Sequence, residues 1–153
     1  MENILKVSEM INEDLIIDLT SDTKQDALNE LLDVICKSPL ITDCKTFRKA
    51  IFDREKLMST GIGYGIAIPH ARHKSVQSFV IALGRKKSGL PYASIDDKPV
   101  QLIFMIGASD KQDKDYIRLL SRLVLRLKNQ EFVDNLLTAK SAAEIYELIV
   151  QTK

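Results

Sequence analysis

The chain contains only two histidines, His70 and His73. They sit three positions apart, which confines imidazole chemistry to one segment. His70 follows Ile68-Pro69, and a proline fixes φ and offers no N–H. Just upstream runs Ser59-Thr60-Gly61-Ile62-Gly63-Tyr64-Gly65. Its alternating glycines permit close backbone approach and unusual φ/ψ. A neutral imidazole, with an ordinary pKa of about 6.5, is a competent nucleophile at neutral pH. A hydrogen bond from its other nitrogen to a backbone carbonyl would fix the tautomer. Phosphoryl transfer asks mainly for positioning and for positive charge around three equatorial oxygens. Arg54 could supply that charge through a planar fork suited to phosphate, and the hydroxyls of Ser59 and Thr60 could add hydrogen bonds. Arg72 is close in sequence but lies on an extended segment that can point it elsewhere.

Other chemistries fit less well. The glycine segment lacks the Gly-Lys-Ser/Thr ending of a Walker loop. It runs into a strand rather than a helix, unlike the dinucleotide fingerprint. Zinc would need a third or fourth ligand, and an extended chain places residues i and i+3 on opposite faces; no metal is expected, and His73 reads as a surface residue. Plainer readings stand beside the sharper ones. Arg54 could form a surface ion pair with Asp53 or Glu55. Ser59 and Thr60 could be turn residues bonded to their own backbone. The Arg85-Lys86-Lys87 cluster reads as a solvated turn, and Lys111–Asp115 as a solvated helix start.

The surrounding elements can be read from periodicity. Leu15–Leu19 reads as a strand. Ser21-Asp22, with Gln25 following, offers the cap of a helix carrying Leu28, Leu31, Leu32 and Ile35 inward, and Ser38-Pro39 ends it. Thr42 or Asp43 caps a second helix with Phe47, Ala50, Ile51 and Leu57 inward and Arg54 in its last turns. Ile66–Ile68 and Phe79–Leu83 read as strands. Val100–Ile106 reads as a central strand, apolar on both faces. Ser88–Pro91 and Asp96–Pro99 read as turns. Tyr116, Leu119, Leu120, Leu123, Val124 and Leu127 form the apolar stripe of an amphipathic helix. A short helix is expected over Glu131–Thr138, and Ser141–Glu144 opens a last one as a capping box. The expected fold is α/β: one three-layer domain spanning residues 1–153, with a small mixed sheet flanked by helices on both sides.

Asp53-Arg54-Glu55-Lys56-Leu57-Met58 and then Ser59 to Ala71, S-T-G-I-G-Y-G-I-A-I-P-H-A, resembles the signature of enzyme IIA domains of the bacterial phosphotransferase system. The class is the mannitol/fructose one, and G-I-G-x-G-I-A-I-P-H resembles its nitrogen-regulatory branch most closely. The resemblance extends over nearly the whole chain. It implies that His70 takes a phosphoryl group from HPr or a paralogue, with Arg54 near it. The group is then relayed to an enzyme IIB or held as a regulatory signal. It implies no metal or organic cofactor. Two positions depart from the pattern. Tyr116 stands where many members carry a second active-site histidine at the start of the long helix. Tyr64 stands where the mannitol branch has glutamate and the nitrogen-regulatory branch usually asparagine. A tyrosine can still donate a hydrogen bond to a phosphoryl oxygen, but it stays neutral.

Composition bounds the alternatives. The chain has 153 residues, 22 Lys plus Arg against 21 Asp plus Glu, and a net charge of +1. A sequence pI near 7.7 argues against a nucleic-acid binder, whose domains commonly exceed pI ~9. No apolar run approaches the ~18 residues of a membrane span, and residues 1–6 show no signal-peptide pattern. Cys36 and Cys44 are too few for a disulfide framework and lack metal spacing, so a reduced, cytoplasmic setting is expected. The principal expectation is a phosphohistidine carrier of the nitrogen-regulatory type. The alternatives are a fructose/mannitol transport component and a binding protein that docks on targets without transferring phosphate.

Overall fold

The computed structural model describes residues 7–111 and 113–151; the N-terminal hexad and Gln112 of the Lys111–Asp115 run lie outside them. After two short 3-10 turns come β1 (Ile16–Asp18), α1 (Lys24–Ile35), α2 (Cys44–Leu57), β2 (Gly61–Gly63), β3 (Ile66–Ala67) and β4 (His70–Arg72). Then follow β5 (Val80–Leu90), β6 (Val100–Ala108), α3 (Asp113–Leu127), α4 (Gln130–Thr138) and α5 (Ala142–Gln151). The six strands form one mixed sheet in the order β1-β5-β6-β3-β2, with β4 also paired to β6. β5 and β6 are antiparallel, while β3 and β4 both run parallel to β6.

β6 is the centre, as its composition predicted. Residues 102–108 of β6 and 80–85 of β5 are buried without a break. Successive strand residues face opposite sides, so unbroken burial means that both faces are covered. Part of that cover comes from α1 on β5, α2 on β4 and α5 on β1. Gly107 marks how closely α2 approaches: a Cβ there would stand 3.1 Å from the Phe47 ring. The expected α/β domain with a mixed sheet and flanking helices is therefore the observed architecture.

Local chemistry sets the helix ends. Thr23, not Ser21 or Asp22, caps α1 by accepting from the Asp26 N–H. Ser21 and Thr20 instead donate backbone N–H and hydroxyl groups to the Glu30 carboxylate. Asp43 caps α2. Leu119, Leu123 and Leu127 of α3 are buried, with Tyr116, Leu120 and Val124 at the edge of the core.

Four expectations are corrected. Cys36, at the C-terminal end of α1, and Cys44, the first residue of α2, form a disulfide with Cα atoms 5.7 Å apart. The turn around Ser38-Pro39 folds α2 back beside α1, which brings the two cysteines together. Arg85 is no solvated turn residue. It lies in β5, 2% exposed, and its guanidinium grips Asp18 at 2.7 and 3.1 Å and the carbonyls of Leu136 and Ala139 at 2.9 and 2.6 Å. A buried charge persists because it is paired and also satisfies the last carbonyls of α4. That pairing holds the Asp18 carboxyl below its ordinary range. Ser88–Leu90 belongs to β5 rather than to a turn, after an irregularity in its pairing with β6. Leu57, expected inward, is 81% exposed because α2 ends there.

Candidate active site

β3 and β4 lie in line along the same edge of β6. Ile66 pairs with Leu102 and His70 with Ile106, so the register is preserved across the interruption at Ile68-Pro69. His70 thus opens a strand of its own rather than trailing beyond one. The interruption leaves the Ile68 carbonyl available to the imidazole, whose Nδ1 lies 2.6 Å from it. A carbonyl only accepts, so Nδ1 carries the hydrogen and Nε2 keeps its lone pair. The ring is half-buried. Burial holds its pKa below the ordinary histidine value; the hydrogen bond to Ile68 opposes this, the Arg54 charge adds to it and Glu55 opposes it. Neutral His70 is therefore the dominant form at pH 7.

The glycine segment forms a short hairpin of β2 against β3. A Cβ at Gly61 would collide with Ser94, whose Cα would be 2.9 Å away. At the tip, Gly63, Tyr64 and Gly65 all have positive φ, and Tyr64 is exposed. The glycines are used for chain geometry, and Tyr64 takes a conformation that glycine or asparagine adopts more readily.

Arg54 sits in the last turn of α2, where its Nη1 donates to the Met58 carbonyl at 2.7 Å. Its sequence neighbours pair with other residues: Asp53 with Lys49 and Glu55 with Lys24. Two clefts meet at His70 and Arg54. One, of about 650 Å³, is lined also by Ser59, Thr60, Ile68 and Leu120. The other, of about 810 Å³, is lined also by Leu57, Asp110, Arg72 and Tyr116. Ring centroids of His70 and Tyr116 are 5.8 Å apart, and the Arg72 guanidinium lies 5.3 Å from the Tyr116 ring. Burial pushes the Tyr116 hydroxyl up to about 12, with Arg72 and Arg54 opposing, so it stays a neutral donor.

The structure brings His70, Arg54 and Tyr116 to one rim, and Arg72 joins them. His70 and Arg72 are two apart on β4, so both leave the same face while Ala71 turns inward. Ser59 and Thr60 line the first cleft, but their hydroxyls have partners. Ser59 Oγ donates to the Tyr92 carbonyl at 3.2 Å and accepts from the Gly61 N–H. Thr60 Oγ1 donates to Glu55 and lies 2.9 Å from the Tyr92 hydroxyl. His73 is engaged elsewhere: its Nδ1 accepts from the Ser75 N–H and hydroxyl. Among the described residues, no group of three or more His, Cys, Asp or Glu is placed to hold a metal. No helix among them is long and apolar enough to cross a membrane.

Sequence reasoning missed the buried partners of the site. Glu55, whose side chain is 5% exposed, pairs with Lys24 at 2.8 Å and accepts from the Tyr92 hydroxyl at 3.0 Å. The only signal for it was its place next to Arg54. Lys24 and Tyr92 come from distant stretches and carried none. The arrangement offers a neutral nucleophile of fixed tautomer, held beside guanidinium groups at the meeting of two clefts. That is chemically suited to in-line attack on a phosphorus atom.

Comparison with known proteins gives the same direction. Residues 9–152 match the family model "Phosphoenolpyruvate-dependent sugar phosphotransferase system, EIIA 2". The chain is 37% identical over 148 residues to the PTS system fructose-specific EIIABC component of Bacillus subtilis, covering 96% of this chain but only 23% of that protein. It is 30% identical over 154 residues to a nitrogen regulatory protein of Klebsiella oxytoca, covering 98% of this chain and 93% of the relative. The crystal structure of nitrogen regulatory protein IIA-Ntr from Neisseria meningitidis superposes with a TM-score of 0.86 at 28% identity, over 94% of this chain and 98% of that one. With a family model spanning nearly the whole described chain and relatives aligned end to end, the chain belongs to the EIIA 2 family of the phosphoenolpyruvate-dependent sugar phosphotransferase system.

Proposed function

We propose that this protein is a phosphohistidine carrier of the nitrogen-regulatory type, with His70 as the residue that is phosphorylated. The observation that carries this reading is the 2.6 Å contact between His70 Nδ1 and the Ile68 carbonyl, which directs the Nε2 lone pair outward. Nε2 attacks the phosphorus of an HPr-like donor's phosphohistidine. The N–P bond to the donor imidazole breaks as the bond to His70 forms; the donor ring, protonated on its other nitrogen, leaves as neutral imidazole, and the phosphorylated His70 ring keeps its Nδ1–H. No proton need leave His70 during the attack, because its one N–H stays on Ile68. Arg54 balances charge on the equatorial oxygens, Tyr116 donates a hydrogen bond, and Ser59 and Thr60 shape the first cleft.

Phosphate adds close to two negative charges to a chain whose net charge is +1. Such a change suits a signal read by a target protein as well as a relay. The second reading, a fructose-type transport component donating to an enzyme IIB, is favoured by the 37% identity to the B. subtilis fructose-specific protein. The test is incubation with phosphoenolpyruvate, enzyme I and HPr, followed by intact mass measurement. The parent gains one phosphoryl group and His70→Ala gains none; equal gain by both overturns the assignment. Onward transfer to a fructose IIB domain would then favour the second reading.

A further inference from the structure

Glu55 is the most heavily engaged carboxylate near the site. Its two oxygens receive the Thr60 hydroxyl, the Tyr92 hydroxyl at 3.0 Å, the Thr60 N–H at 3.3 Å and the Lys24 ammonium at 2.8 Å. Lys24 also stands 4.3 Å from the centre of the Tyr92 ring, so two helices and two loop segments converge on one carboxylate. The bonds continue toward the nucleophile. The Thr60 carbonyl accepts from the Ile68 N–H at 2.9 Å, and the Ile68 carbonyl accepts from His70 Nδ1. Ile68 lies in the gap between β3 and β4, so the ladder on β6 does not by itself settle how its carbonyl points. Thr60 holds Ile68 from the side opposite β6, and Glu55 holds Thr60.

We propose that Glu55 is a positioning residue for transfer at His70, acting through Thr60 and Ile68 to keep the Ile68 carbonyl on Nδ1 and hence Nε2 as the free nitrogen. This rests on the reading of His70 as the phosphorylated residue. A glutamine at position 55 would replace one accepting oxygen with a donor. The amide nitrogen would face two of the four incoming donors and Lys24 would lose its counter-charge, at nearly unchanged volume.

The test uses the full chain. Imidazole nitrogen NMR at pH 8 reads the His70 tautomer without any donor, and a phosphoenolpyruvate, enzyme I and HPr assay reads the transfer rate. In Glu55→Gln the expected result is a mixture of tautomers, with a saturating transfer rate at least tenfold lower and an unchanged half-saturating HPr concentration. A folded Glu55→Gln protein that keeps the single Nδ1–H tautomer overturns the proposal, whatever its rate. So does a shifted tautomer with the parent's rate. If Glu55→Gln does not fold, Thr60→Val removes the hydroxyl link between Thr60 and Glu55 and leaves the Lys24–Glu55 pair in place, and the same two results decide. A parent protein that takes no phosphoryl group sinks the reading of His70, while the tautomer measurement still decides the relay.

Discussion

The imidazole of His70 and the phenol of Tyr116 face one another across the mouth of the second cleft, 5.8 Å between centroids and tilted by 55°. Tyr116 reaches this position because it is the first apolar-stripe residue of α3, set against the end of β4. Removing its hydroxyl takes away one proposed hydrogen bond to an anionic phosphoryl oxygen, a loss of about 1.5 kcal/mol, the low end for bonds to charged groups. Tyr116→Phe should therefore accept phosphate roughly tenfold more slowly than the parent, with the fold unchanged. Stopped-time intact mass spectra check this, and a rate equal to the parent's would remove Tyr116 from the site.

Arg54 should matter more. Hydrogen bonds to a charged group contribute about 2 kcal/mol, so Arg54→Gln should slow phosphorylation about thirtyfold. The substitution also weakens the bond to the Met58 carbonyl that closes α2. The denaturation midpoint should be measured alongside the rate, so that loss of charge is separated from fraying of the helix.

The pH dependence follows from burial of the His70 ring. Its pKa in the folded protein lies below the ordinary 6.5, so the neutral nucleophile persists to lower pH than in an exposed histidine. The acid limb of the rate profile should fall below pH 6.5 once the donor's own titration is subtracted. The stability linkage has the matching sign. The unfolded chain takes up a proton at higher pH than the folded one, so the His70 contribution is intact above about pH 6.5 and declines as pH falls toward the folded value. An acid limb at or above 6.5 would contradict the burial argument.

Arg85→Met should be the most destabilising of the substitutions considered. It leaves the Leu136 and Ala139 carbonyls without their buried donor and frees Asp18. Asp18 is largely exposed, so the cost falls on the two carbonyls, at about 1–3 kcal/mol for each buried acceptor left unsatisfied. Urea unfolding should show the midpoint falling at constant slope.

The Cys36–Cys44 bridge closes a loop with a sequence separation of 8. Loops of that size stabilise by about 2–3 kcal/mol on chain-entropy grounds. Unfolding the same protein with and without dithiothreitol should reveal a difference of this order, and Cys36→Ser/Cys44→Ser should match the reduced form. An unmoved midpoint would show that the bridge adds nothing to the folded chain.

What the sequence disclosed has a physical pattern. The central strand, the helical stripes of α1 and α3, and the segment around His70 were legible because each is local: a run, a period or a motif. Arg85 was not, because three adjacent basic residues look like a solvated turn. Only the pairing of β1 with β5 puts Asp18 within its reach. The role of Glu55 is hidden for the same reason: Lys24 and Tyr92 are distant in sequence, and their convergence belongs to the fold. Leu57 carried the right period, but it sits where α2 stops and the core has ended. The cysteines were read by number and spacing, while their pairing depends on the turn that folds α2 against α1.

The unbroken register of β3 and β4 along β6 has a consequence for traffic through the site. A carrier must meet a donor and later an acceptor with the same few atoms. Because the strand on either side of Ile68-Pro69 is clamped to the most buried strand of the sheet, the imidazole is mounted on a fixed floor rather than on a loop. Loading and unloading then require no refolding of the carrier, and a preorganised arrangement adds no reorganisation to the barrier in either direction. With His70 as the proposed carrier, reversibility is built into the backbone, and the direction of flow is left to the partners' concentrations and phosphorylation potentials.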